Sequence, residues 1–312
     1  MGKYHLKKVK SLTDKTNKEK AVVAIEVRQE TSYSLKDILN ILKLPKSVYY
    51  YWVRHVDDQR QKDLPILKSV REIIEQSKGR YGYRRIKAVL EQDGIIVNHK
   101  RLLRIMRTYD LLCVKFTKKH RNKYSSYRGT VGYIAPNTVN RVFKVDKVNT
   151  LWLTDVTEFS LPSKGKRLYL STIFDSCTSE IIAYEMSRSP NLDIALKPLT
   201  DALSKHQGLL NDLVIHSDQG FHYQHRAWVN ILDTYNVTQS MSRKGNCLDN
   251  APMENFFGLL KQEMFYGEQF DTYELLESAI REYIEFYNTK RIKTKLKGMS
   301  PVQYRKHTLK SA

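Results

Sequence analysis

Leu151-Trp152-Leu153-Thr154-Asp155-Val156-Thr157-Glu158-Phe159 reads as a β-strand with a carboxylate, Asp155, inside it. Downstream, residues 167–175 and 179–186 are two further β-rich runs separated by turn residues, and 192–206 is helical. A short apolar strand over 212–217, a helix over 225–235 and a brief strand over 237–240 come next. A polar loop then leads into helices from Asn250 onward. Three strands, helix, strand, helix, strand, helix implies an α/β domain with a mixed five-stranded sheet.

Upstream the pattern is helical and basic. Residues 1–20 are Lys-rich without an apolar period and read as a mobile basic leader. A helical pattern starts at Ala21, and Ser34 is placed to cap a short helix. Leu44-Pro45-Lys46-Ser47 breaks that helix, and 48–55 resumes with Tyr49, Tyr50, Tyr51 and Trp52. Residues 21–60 therefore read as a helix-turn-helix segment, with a plain helical hairpin as the alternative. A separate amphipathic helix over 66–77 carries Ile66, Val70, Ile73 and Ile74 on one stripe. The glycine-hinged turn Gly79-Arg80-Tyr81-Gly82-Tyr83-Arg84-Arg85 leads into a helix ended by Asp93-Gly94. A last helix, over 99–109, presents Lys100, Arg101, Arg104 and Arg107 on a cationic face. Residues 61–113 thus read as a second helix-turn-helix-like DNA-binding module, and 114–145 as a basic linker that tracks phosphates. A core over 146–266 and a C-terminal helical extension over 267–312 complete the division. The expected DNA contacts in the basic half are Arg80, Tyr81, Arg84, Arg85, Lys100, Arg101 and Arg104, with Lys118, Lys119 and Arg121 in the linker.

Composition narrows the function. The 312 residues are 41% hydrophobic, which excludes a disordered chain, and no apolar run is long enough to span a bilayer. Cys113, Cys177 and Cys247 are odd in number and widely spaced, so neither a disulfide framework nor a zinc knuckle is expected, and a cytoplasmic location is. Lys and Arg number 53 against 33 Asp and Glu, a net charge of +20. Residues 1–145 hold 33 basic and 13 acidic residues, whereas 146–312 hold 20 of each. One half is built to meet a polyanion and the other is electrically balanced.

Three acids fall where the chain order brings elements together: Asp155 in the first strand, Asp218 just past the fourth, and Glu254 in the helix after the fifth. Carboxylates from different elements are a minimal ligand set for hard divalent cations in phosphoryl transfer. On that last helix, Asn250, Glu254, Gly258 and Lys261 share one side, so Lys261 is a candidate DNA contact. Arg243 and Lys244, in the loop feeding the helix, are candidates for gripping a DNA end. Strand alternation sends Glu158 to the face opposite Asp155, which makes it structural. Asp175 lies near the core strands, His216 reads as a packing or supporting group with a proton shuttle as the alternative, and Asp249 as the cap of the Glu254 helix.

Trp152-Leu153-Thr154-Asp155-Val156-Thr157, His216-Ser217-Asp218-Gln219-Gly220 and Ser242-Arg243-Lys244-Gly245-Asn246-Cys247-Leu248-Asp249-Asn250-Ala251 resemble transposase motifs. With Glu254, Lys261, Tyr287-Asn288, Arg291, Leu296-Lys297-Gly298-Met299-Ser300-Pro301 and the upstream Arg80–Arg85 motif, the chain resembles the OrfB-type transposases of bacterial insertion sequences over roughly residues 30–306. The resemblance implies a retroviral-integrase-like, RNase H-like core. Its DDE triad would be Asp155, Asp218 and Glu254, holding two Mg²⁺ ions, with Mn²⁺ able to substitute. It implies cleavage at the 3′ end of the element and strand transfer. The expected partners are terminal inverted repeats, target DNA and further copies of the chain, as a homodimer or higher oligomer on paired ends, at a bacterial nucleoid rather than a membrane. Retroviral integrases begin with a His-His-Cys-Cys module; only Cys113 lies in the first half here, so no zinc is expected. No long leucine heptad precedes residue 30, which suggests the downstream frame alone or a fragment containing it, with an upstream-frame helix-turn-helix and leucine-zipper protein as a further partner. The alternatives are a DNA-binding regulator and a structure-selective nuclease without strand transfer.

The charge asymmetry predicts where salt sensitivity lies. Each neutralised phosphate contributes about −0.9 to the slope of log K against log salt. Residues 1–145 should carry a steep slope and 146–312 a shallow one when duplex DNA is titrated across a salt series. Equal slopes would reduce the asymmetry to a solubility feature.

Overall fold

Thr16 opens the first helix, α1 (Asn17–Glu30), through a capping box. Its hydroxyl accepts from Glu19 N at 3.4 Å, while the Glu19 carboxylate accepts from Thr16 N at 2.9 Å. The helix therefore starts inside the segment expected to be a leader. The computed structural model describes residues 16–115, 132–163, 165–210 and 212–311. Lys118, Lys119 and Arg121 lie outside the described residues.

Ser34 caps α2 (Leu35–Leu42) as expected, its hydroxyl accepting from Asp37 N at 3.2 Å. The next helix, α3 (Lys46–Gln76), is continuous where the sequence suggested two separate helices. Pro65 forfeits one N–H, yet Asp63, Ile66, Leu67, Val70 and Ile73 stay in phase on the buried side across it. Two shorter helices follow, α4 (Tyr83–Gln92) and α5 (His99–Thr108). Asp63 is buried because α5 neutralises it: Arg101 Nε donates at 3.0 Å and Arg104 at 2.6 Å. The cationic face of α5 is thus partly spent inside the protein.

Two compact units emerge, Met1–Ile73 with Lys100–Leu111 and Ile74–His99 with Leu112–Ala312. The first has its own apolar core of Ala21, Ala24, Ile38, Leu39, Leu42 and Tyr49. The second is built on the strands β1 (Leu151–Ser160), β2 (Arg167–Asp175), β3 (Ile181–Ser187), β4 (Val214–Ser217) and β5 (Thr238–Met241). Their order is β3-β2-β1-β4-β5. The first three strands pair antiparallel, and β4 and β5 add in parallel, which requires crossovers. The helices α6 (Asp193–His206), α7 (Phe221–Gln224) and α8 (Arg226–Thr234) supply them. Trp152, Ile173 and Ile215 pack with Leu199 and Leu203 of α6 and with Trp228 and Leu232 of α8 on one sheet face. The opposite face, reached by Phe174, is covered by α9 (Ala251–Leu260) and α10 (Tyr273–Thr289). The Phe256 ring lies 6.5 Å from Phe174 and 4.9 Å from Tyr287. A π-helical turn, Lys261–Phe265, extends α9, and α11 (Pro301–Ser311) closes the chain. Among the described residues no helix is long and apolar enough to cross a membrane.

Arg80 and Tyr81, expected to contact DNA, are buried in the second unit. The Arg80 guanidinium lies 4.7 Å over Phe286 and 5.3 Å over Tyr283. The Tyr81 hydroxyl donates to Lys290 O at 2.9 Å and accepts from Ile292 N at 3.0 Å. Arg85 stands 3.6 Å from the buried Glu263, which also accepts from Arg291 at 2.6 and 2.9 Å and from the Tyr283 hydroxyl at 3.0 Å. The basic turn is a structural clasp because aromatic faces and one carboxylate absorb its cations. Only Arg84 is exposed. Residues 74–99 thus belong with the sheet, so the salt comparison is made with charge-neutralised full-length chains rather than by cutting at residue 145.

Lys293 yields a prediction for this unit. Its ammonium donates to the Tyr287 hydroxyl at 2.8 Å and is pushed down to about 7 by burial, with Arg291, Arg85 and Lys295 adding repulsion and Glu263 opposing it. Between about 7 and the ordinary 10.5, the unfolded chain holds a proton that the folded chain releases, so this group makes stability rise with pH. Urea midpoints from pH 7 to 9 should climb more steeply for the wild type than for Lys293→Met. Parallel curves would refute the assignment.

Candidate active site

The pairing of β1 with β4 sets Leu153 opposite His216. Two residues further along each chain come Asp155 and Asp218, at the same level and on the same face by strand parity. Burial, and next the charge of Asp218, push the Asp155 carboxyl well above the ordinary carboxylate range. Asp218 is raised by burial as well, against the pull of the Gly220 amide. Each carboxylate is steered through Oδ1: Val156 N donates to Asp155 at 2.7 Å and Gly220 N to Asp218 at 2.8 Å. A side chain at Gly220 would place its Cβ 2.9 Å from that Asp218 oxygen, so glycine keeps the carboxylate's berth open.

Tyr223 of α7 is buried within reach of both aspartate charges. Its buried hydroxyl lies 3.3 Å from Thr154 Oγ1, and burial with the two aspartate charges keeps the phenol neutral. No spacing in the sequence marks this residue. Asn250, just ahead of α9, donates to Thr154 O at 3.2 Å and so ties the start of α9 beside Asp155. Its presence on the Glu254 side of the helix was the only available signal. Glu254 sits exposed in the first turn of α9, with its charge reaching Asp155. Lys261 opens the π-helical turn, 5.2 Å from the Phe159 ring. Burial lowers its ammonium, while Glu158 and Asp155 act the other way.

The donor set suits a hard divalent cation, because it offers carboxylate oxygens only. Among the described residues no three His, Cys, Asp or Glu side chains form a ready-made metal cluster. The aspartate pair is the preformed part, and Glu254 comes from a separate helix.

Asp249 does not cap α9, as the sequence reading expected. It is fully buried and accepts from Arg243 N at 3.1 Å and from the Arg243 guanidinium at 2.8 and 2.9 Å. Arg141 at 2.7 Å and Asn137 at 3.2 Å complete its shell. These bonds, the Arg243 side chain first, hold its carboxyl far below the usual range. A buried carboxylate needs such partners, and a helix N-terminus alone supplies fewer. His216 supports the same loop, as expected, with Nδ1 2.9 Å from Ser240 Oγ and Nε2 2.8 Å from Asp249 O. The segment around Arg141, read as linker, is pinned to the sheet domain: Gly132 N donates to Gln224 Oε1 at 2.8 Å and Thr138 N to Ser240 Oγ at 3.0 Å.

The remaining candidates separate by environment. Lys244, Lys100 and Arg84 are exposed, and Arg243 is exposed while clamped on Asp249. Glu158 is exposed and paired with Arg167 at 2.9 Å. Asp175 is fully buried and accepts from Asn149 N at 2.9 Å and Thr178 N at 2.8 Å, a structural role.

Replacing Asp249 by Asn should loosen the loop without unfolding the sheet. Hydrogen exchange of the amides of residues 243–249 should quicken by about tenfold or more as charge-assisted bonds are lost. Unchanged exchange would show that Asp249 does not order the loop.

Comparison with known proteins gives the family. The integrase core domain family matches residues 145–247 and again 254–309, and an HTH-like domain family matches 60–120. The InsK protein of insertion sequence element IS150 from Escherichia coli K12 is 42% identical over 286 residues, covering 91% of this chain and 96% of that protein. The transposase for insertion sequence element IS904 from Lactococcus lactis is 34% identical over 242 residues, covering 77% and 93%. Among solved structures, a chain of the simian T-cell lymphotropic virus intasome matches at 15% identity and a TM-score of 0.43, over 75% of this chain and 73% of that one. The chain belongs to the DDE-type transposases of bacterial insertion sequences, polynucleotidyl transferases with an integrase catalytic core.

Proposed function

We propose that the protein binds the terminal inverted repeats of its insertion sequence, cleaves at their 3′ ends and joins them to target DNA, with Asp155, Asp218 and Glu254 holding Mg²⁺. The observation that carries this reading is the half-buried Asp155–Asp218 pair, one carboxylate within β1 and the other just past the parallel strand β4, whose repulsion a divalent cation would relieve. Bound as two ions, or replaced by Mn²⁺, the metal supplies Lewis acidity and an activated water.

The chain's own residues do the rest. The amides of Val156 and Gly220 orient the aspartates, and Asn250 holds α9 so that Glu254 approaches them. Lys261, beside the Phe159 ring and in the field of Glu158 and Asp155, offsets charge on a phosphate at the site. Arg243 and Lys244 grip the DNA end, and the exposed Arg84 and Lys100 meet backbone phosphates. In the first step a water oxygen attacks phosphorus and the 3′ oxygen leaves, taking a proton. In the second, that 3′-hydroxyl oxygen attacks the phosphorus of a target phosphodiester, the target strand's own 3′ oxygen leaves, and the proton lost by the attacking hydroxyl ends on that leaving oxygen. One such site per chain and two ends per element call for at least a dimer, and an upstream-frame helix-turn-helix protein is a further partner. The reaction takes place in the cytoplasm, at the nucleoid.

The test uses a labelled end oligonucleotide, a plasmid target and Mg²⁺. Asp218→Asn should lose at least about 100-fold in cleavage and joining while binding the end as the wild type does, because a neutral amide cannot balance the cation. Cleavage by this variant at the wild-type rate would refute the metal assignment. Wild-type cleavage without joining would leave a nuclease.

A further inference from the structure

Tyr133 and Ile134 stand on a segment whose backbone is held at both ends. Gly132 N donates to Gln224 Oε1 at 2.8 Å, and Tyr133 N to Gln224 O at 3.3 Å. Downstream, Ala135 is buried in the core cluster on the α6 and α8 face of the sheet, and Thr138 N donates to Ser240 Oγ at 3.0 Å. Glycine at 132 is a requirement of this seat. A Cβ there would stand 2.7 Å from Gln224 O, so a larger residue would lift the segment off α7. Yet Tyr133 is 54% and Ile134 42% exposed. Single exposed apolar side chains are ordinary. A ring on a clamped backbone is different, because it is already placed before any ligand arrives. Among the described residues no hydrogen bond or ring contact occupies the Tyr133 side chain.

Gln224 fixes where the ring lies relative to the carboxylates. It ends α7, and its side-chain amide donates to Gln219 O, next to Asp218. A run of direct bonds therefore leads from the Tyr133 backbone to the neighbour of a catalytic aspartate. Since α7 has four residues, it is about 6 Å long at roughly 1.5 Å per residue. A nucleotide beside a phosphate at the aspartates can reach its far end. His225 and Arg226, which follow Gln224, are exposed. No carboxylate occurs between Asp218 and Asp233 or over residues 132–145. Asp249, bonded to Asn137 and Arg141 of the same segment, is fully buried and neutralised by its arginines.

We propose that the Tyr133 ring, with Ile134 beside it, stacks an unpaired DNA base next to the reacting phosphodiester. The inference rests on the cleavage and joining function proposed above. An exposed tyrosine ring complements the π-face of any base, so this contact needs no particular sequence. Arg226 is suited to a flanking phosphate. Opening one base pair beside the reacting phosphate costs unpairing and unstacking, and the ring offsets that cost by covering the freed face. The base belongs either to the element's end or to the target duplex, and the stacking chemistry is the same for both.

The test places 5-iodouracil, which on irradiation couples to an aromatic ring stacked on it, at single positions in DNA bound to the full-length protein. One arm carries it beside the cleavage site of an end duplex, the other in the target portion of a preassembled joined product. Peptide mass spectrometry should find the cross-link at Tyr133 in at least one arm, which names the source of the base, and Tyr133→Phe should retain it. Tyr133→Ala should slow reaction of fully paired DNA by about tenfold, the effect of losing one stacked base. With that base mismatched the slowing should fall below about twofold, since unpairing then costs little. The mismatched substrate also shows that the variant is folded. No cross-link at Tyr133 in either arm would overturn the inference, as would a Tyr133→Ala effect that is the same on paired and mismatched DNA. Either result leaves cleavage and joining intact. Wild-type protein that neither cleaves nor joins would instead refute that function, and this inference with it.

Discussion

Parallel pairing of β1 with β4 is the constraint from which the site follows. Asp155 and Asp218 are 63 positions apart in sequence, and only the register of Leu153 against His216 makes them neighbours. A slip of one residue would turn one carboxylate to the opposite face. Trp152 and Ile215, locked into the cluster beneath α6 and α8, oppose that slip, because it would expose a tryptophan that is now completely buried. The packed side of the sheet thus sets the geometry of its reactive edge, and the electrostatic cost of holding two carboxylates together is met by hydrophobic burial next door.

Two further buried carboxylates serve order rather than reaction. Asp249 gathers Arg243, Arg141 and Asn137, and so joins the loop after β5 to the segment before β1. Glu263 gathers Arg291, Tyr283 and Arg85, joining the π-helical turn to α10 and to the start of α4. Removing a charge from water is costly, so each persists only where geometry supplies full compensation. Both flank α9, the helix that carries Glu254, one at each end.

Net charge is a coarse guide to where nucleic acid can lie. Arg80 is stacked on aromatic rings, Arg85 faces Glu263, and Arg101 and Arg104 are engaged by Asp63. Arg80 and most of Arg85 are thereby committed to the interior of their unit, whereas Arg101 and Arg104 stay partly exposed while bound to Asp63. Arg84, Lys100, Arg243 and Lys244 remain at the surface. A count over sequence cannot make this distinction, because it depends on which carboxylate or ring lies across the fold.

The sequence by itself determined the order of strands and crossover helices, the Ser34 cap, and the Asp155, Asp218 and Glu254 candidates. Those depend on local patterning and on motif residues that adjoin one another in the chain. The continuous α3 was not legible, because a proline normally ends a helix and only in-phase burial on both sides of Pro65 overrides it. Nor were Tyr223 within reach of the aspartate charges, the Asp249 clamp and the inward turn of Arg80 and Tyr81. Each depends on partners from distant segments, and a buried polar group's role is set by the atoms that satisfy it, which only the tertiary structure brings within reach.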